Sequence, residues 1–239
     1  MFLPFSFIES QAQYLDTPFV ENENFIRDFV IMSGLPEDCF EISPPRCELF
    51  EYFRRWETDI SISVYGLGDR VDEIPIVEDI IEEFSNEFND RTGLQMQLSQ
   101  RNIDIIVYLL DSEVFLLLET GVLPAPEYGF LTLRRHLETD GACGANTLLS
   151  DSSTIVAAFL YIGQFDQERE LSQCVREELF NSIGMSNDPL GLPSLFDHPY
   201  FSALSKYQVL PEYFLQMISL LYGLDSLSID EFVAVNDFR

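Results

Sequence analysis

The stretch Cys174-Val-Arg-Glu-Glu-Leu-Phe-Asn-Ser-Ile-Gly-Met-Ser-Asn-Asp188 decides how this chain is read. Its apolar residues recur with a helical period, and Gly184 lets the backbone leave the helix in a left-handed conformation. At about 100° per residue, Glu178 shares a stripe with Leu171, Cys174, Val175 and Ser182, while Glu177 and Asn181 lie together on its flank. The spacing therefore predicts a helix over 167–184 with one glutamate turned inward. Such a carboxyl must find hydrogen-bond donors or shift its pKa upward, so Glu178 is either a satisfied structural group or a working acid or base.

Outward from this helix, the chain alternates strand and helix signals. Ile60-Ser-Ile-Ser-Val-Tyr65 alternates apolar and polar, the mark of a strand with one buried face, here set at 58–65. Gly66 and Gly68 follow, too close together for a dinucleotide loop, and read as a turn. Pro75 opens an amphipathic helix whose Val77, Ile80, Ile81, Phe84 and Phe88 face inward, with Glu78, Asp79, Glu82, Glu83 and Glu87 outside. Short apolar runs rich in β-branched and aromatic residues predict buried strands at 103–110 and 154–162. Between them, Glu119 to Gly144 reads as a long covering or binding loop. An earlier helix is expected from Asn24 to Met32, stopped by Gly34, and two later ones over 211–222 and 228–234. Residues 1–21 are expected to form an N-terminal arm, and 22–239 a single α+β domain.

Composition narrows the chemistry. The chain has 239 residues, 46% of them hydrophobic and 23% charged, which suits one substantial core. Forty-one Asp and Glu face 13 Lys and Arg, for a net charge of −28, and the only lysine is Lys206. That balance argues against nucleic acid and anionic membrane surfaces, which need cationic side chains, and favours a monomer through self-repulsion. Only two histidines, His136 and His198, are present, so a three-histidine zinc site cannot be assembled; both read as ordinary polar residues. No calcium loop of the Asp-x-Asp-x-Asp-Gly type appears, and the acidic runs read as solvated faces. Trp56 reads as a core anchor.

Four cysteines fall into two groups, Cys39 with Cys47 around a turn-rich stretch, and Cys143 with Cys174 farther apart. No CxxC is present, so disulfides are a better reading than a metal cluster, and they would place the chain in an oxidising compartment. The opening Met-Phe-Leu-Pro-Phe-Ser-Phe-Ile lacks a basic start and a cleavage site, so either a leader was removed or the thiols stay free. No apolar run approaches membrane-spanning length, and a soluble chain without membrane insertion is expected.

Aligned on Gly184, the 174–188 stretch resembles the H-E-x-x-H-x-x-G-x-x-H segment of metzincin-type metalloproteases. Residues four apart on one helical face hold one ion, and the glycine turn returns a third ligand. Here Glu177, Asn181 and Asn187 occupy the ligand positions, and Glu178 stands where the general base would be. Over roughly 22–235 the chain also resembles a family of exported bacterial proteins known as domain of unknown function 2927. The matching features are Arg55-Trp56, Arg101-Asn-Ile-Asp-Ile-Ile106, Cys143, Cys174, Glu177-Glu178, Gly184, Asn187-Asp188, Ser194-Leu-Phe196 and Leu220-Leu-Tyr222.

The resemblance implies a zincin-like fold, a small twisted sheet with the 167–184 helix beneath it, and no reaction to carry over. Pairing of Cys143 with Cys174 and of Cys39 with Cys47 is expected. Neutral amides are poor zinc donors, so no cofactor is expected, with zinc or calcium as the alternatives; calcium could accept Glu177, Asn181 and Asn187 or Asp188. The leading expectation is a periplasmic or secreted pseudoenzyme that binds a protein or peptide segment. The alternatives are a metal-dependent hydrolase with Glu178 as general base, and a structural acidic surface protein.

Overall fold

The apolar runs do build strands, and the amphipathic ones build helices around them. In a computed structural model the described residues are 23–34, 50–124, 143–185, 212–225 and 228–235. Helix α1 spans Glu23–Gly34, β1 Ile60–Tyr65, α2 Ile74–Thr92, β2 Met96–Leu98, β3 Ile105–Leu109 and α3 Ser112–Glu119. Then follow β4 Cys143–Leu149, β5 Ile155–Ile162, α4 Glu168–Ser182, α5 Glu212–Gly223 and α6 Ile229–Val235. The expected N-terminal arm, the Cys39–Cys47 pair, His136, Asn187, Asp188, Ser194–Phe196 and His198 lie outside the described residues.

The strands form one mixed sheet in the order β2-β1-β3-β5-β4. Strands β2, β1, β3 and β5 run parallel, and β4 is antiparallel to β5, so the α+β reading holds with two strands more than the three expected. Both additions were hidden in the sequence for physical reasons. Strand β2 has three residues, and β4 (Cys-Gly-Ala-Asn-Thr-Leu-Leu) is rich in residues of low β propensity. Its start therefore looked like the end of the 119–144 loop. The stretch just before that loop, for which the sequence pattern suggests no element, forms α3 over 112–119, capped by the Asp111 carboxylate, which accepts from the backbone N–H of Glu113 and Val114.

One face of the sheet carries Ile60, Ile62, Ile105, Val107, Leu109, Ala158, Leu160 and Ile162, all packed in the main core with α2, α4 and α5. Burial of this size is the main favourable term in folding. The opposite face carries Tyr108, Phe159 and Tyr161, which form a smaller cluster with α3. Tyr65, Tyr108 and Tyr161 stand in register across β1, β3 and β5, and the last two rings stack 5.8 Å apart. Arg70 is buried at the carboxyl ends of the parallel strands, donating to the Leu110 and Gly163 carbonyls and pairing with Glu73. A cation there answers the carbonyls that the strand ends leave unpaired.

Candidate functional site

Helix α4 packs against β4, β5 and α2. That three-sided environment buries more of the helix than one apolar stripe would require. Leu171, Cys174, Val175, Glu178 and Ser182 are buried as the helical spacing demands, but Arg176 and Phe180 are buried as well. Arg176, 1% exposed, pairs with Glu83 across the α2–α4 contact, and its Nε and Nη1 find no partner. Nothing in the 174–188 pattern marks Arg176 as an interior cation, because its partner is 93 residues away in sequence.

Glu178 is 6% exposed, whereas Glu177 and Asn181 are half-buried on the flank. Asn181 Nδ2 donates to Glu178 Oε2 at 3.3 Å. An ionised carboxylate only accepts hydrogen bonds, so the amide must turn its nitrogen toward Glu178. The structure thus joins the expected base to one of the expected ligand positions directly.

The helix stops where the sequence places its glycine. Gly184 has φ +108°, and its backbone lies against the Arg54 carbonyl. The indole Nε1 of Trp56 donates to the Ser182 carbonyl at 3.0 Å, satisfying one of the orphan carbonyls at the α4 C-terminus. Tyr222 OH donates to the Ile183 carbonyl and accepts from Trp56 N–H. Burial pushes the Tyr222 phenol above its ordinary pKa. Arg55 serves the other helix: its Nη1 donates to Leu221 and Leu224 carbonyls at the end of α5, at 3.1 and 2.9 Å. Arg55-Trp56 is therefore a double helix cap, a role beyond the core anchor read from the sequence.

A disulfide joins Cys143, the first residue of β4, to Cys174 on α4, with Cα atoms 6.0 Å apart. It ties the sheet edge to the helix one turn before Glu178. Among the described residues, no strand pairs with the outer side of β4, and no three His, Cys, Asp or Glu side chains lie close enough to share a metal ion. Among them, too, no helix is long and apolar enough to cross a membrane.

No curated protein and no solved structure matches the chain. A family model does, across residues 41–218, a span that takes in β1 to β5, the Arg55-Trp56 cap, both bridged cysteines and the Glu177-Glu178 helix. The chain belongs to the family described as Protein of unknown function (DUF2927).

Proposed function

We propose that this chain is a catalytically inactive, zincin-like module that takes up an extended protein or peptide segment along β4. The observation that carries the reading is the disulfide-fastened pairing of an antiparallel edge strand with the helix that bears Glu177, Glu178 and Asn181. A fixed edge offers its backbone groups to an incoming strand, and main-chain hydrogen bonds then supply the affinity. The glycine-terminated α4 packed beneath that edge supports the zincin-like assignment.

The donor set does not fit zinc. Glu177, Asn181 and Asn187 offer one carboxylate and two amides where zinc favours imidazole and thiolate, and the Asn181 nitrogen already faces Glu178. Glu178 without a Lewis acid lacks the means to make water attack an amide. Its role is to hold the end of α4 through Asn181. A structural disulfide supports a periplasmic or secreted location, and the charge of −28 supports a monomer.

Amide hydrogen exchange in the presence of short β-forming synthetic peptides tests this. Protection confined to 143–149, lost when alternate peptide amides are N-methylated, is the expected result. One zinc per chain in protein purified without chelators, with peptide hydrolysis abolished by Glu178→Gln, would overturn it in favour of a metallohydrolase.

A further inference from the structure

Edge strands in natural sheets are guarded against chance pairing by lysines, prolines, shortness or inward charges. Strand β4 is seven residues long and contains no charged residue and no proline. Its neighbour β5 has no charged residue either, and Leu148 and Val156 stand 42% and 46% exposed beside each other's strands. A register shift between Leu148 and Leu149, the kind of bulge that also guards edges, lies at the end of the strand and leaves 143–148 in regular register. Such an edge ought to pair with a second copy of itself. What opposes that pairing is the charge of the whole molecule, −28, which makes two copies repel. On the helix beneath the edge the exposed charges sum to the same sign: Glu168 and Glu170 are exposed with Arg169 between them, and Glu177 is half-exposed, while Arg176 is buried on Glu83.

A guard made of net charge discriminates by sign, where a guard made of side chains on the strand would block every comer. We infer that β4 selects a cationic extended segment of another protein, with apolar side chains alternating onto the face of Leu148 and basic ones answering the acidic surround. This inference rests on the reading of β4 as a docking edge and adds the chemistry of its partner.

Three synthetic peptides separate the possibilities: alternating lysine and valine, glutamine and valine, and glutamate and valine. The lysine peptide should bind with protection at 143–149, and its affinity should fall at least about tenfold between about 0.1 M and 1 M salt, where the screening length shrinks from about 10 Å to 3 Å. Leu148→Lys should weaken it several-fold and Leu148→Glu should not, both at an exposed position that leaves the core intact. Equal binding of the glutamine peptide would overturn the charge inference and leave the docking edge standing. Self-association through 143–149 at high salt, with no peptide bound, would make the occupant a second copy and overturn it too. Absence of protection at 143–149 with every peptide, and of self-association, would overturn both readings.

Discussion

Gly184 and Arg54 approach so closely that a β carbon on the glycine would overlap the Arg54 carbonyl oxygen. The glycine also sits at φ +108°, where an L side chain is strained whatever space is available. Both requirements arise because α4 ends against the segment that carries its indole cap. Gly184→Ala is expected to destabilise by about 3 kcal/mol or more, since backbone on both sides cannot give way as a flexible side chain would. Urea unfolding measures it. A loss under about 1 kcal/mol would show that the contact relaxes freely, since at an unstrained position the same substitution is neutral or slightly stabilising.

Removing the Cys143–Cys174 bridge should cost about 3 kcal/mol, because it closes a loop between residues 31 apart. The comparison is the Cys143→Ser/Cys174→Ser pair against the unaltered chain. Loss of exchange protection should appear first in β4, which has a single strand neighbour among the described residues. Uniform loss across β1, β3 and β5 would contradict a local clasp.

Asn181→Asp places a second carboxylate where an amide now donates to Glu178 at 3.3 Å. Two carboxylates sharing a site cannot both ionise cheaply, so one pKa rises. A folded pKa above the unfolded one means a penalty that is full at high pH and relieved as pH falls toward the unfolded value near 4. The variant should thus be about 1–3 kcal/mol less stable than the unaltered chain at pH 7 and recover most of that by about pH 4. A pH-independent difference would place the Asn181 side chain away from Glu178.

Three phenols give the opposite end of the pH scale. Burial raises the pKa of Tyr108, Tyr161 and Tyr222, with Tyr65 adding to the shift of Tyr108 and Tyr108 to that of Tyr161. For Tyr222 the N–H of Trp56 and the Arg55 charge act against burial without cancelling it. Stability is whole below the unfolded phenol pKa of about 10 and is lost as pH rises beyond it. In ultraviolet titration these tyrosines should ionise only as the protein unfolds. Reversible ionisation of all 10 tyrosines near pH 10 in a protein that stays folded would refute their burial.

Local pattern made much of this architecture legible. The helix begun by Pro75 and the alternation of Ile60 to Tyr65 appear where their periods place them, because burying one face of a helix or strand leaves a record along the chain. The same holds for α5, whose Tyr213, Phe214, Met217, Ile218, Leu220 and Leu221 are all buried. Helical geometry likewise placed Glu178 inward and Glu177 outside it, and the grouping of the cysteines anticipated the Cys143–Cys174 bridge.

What the sequence determined by itself, then, is each element whose signal is periodic and each turn that demands a glycine, for those depend on neighbours a few residues away. The tertiary structure alone decided the rest. Strand β4 exists because β5 pairs with it, from Cys143 beside Ile162 to Leu149 beside Ile155, although its own residues favour no strand. Arg176 is interior because Glu83 meets it from α2, and Trp56 and Arg55 cap α4 and α5 from 126 and 169 residues away. Hydrogen bonds and ion pairs of that span are fixed by where the packed layers bring the chain, and no local spacing encodes them.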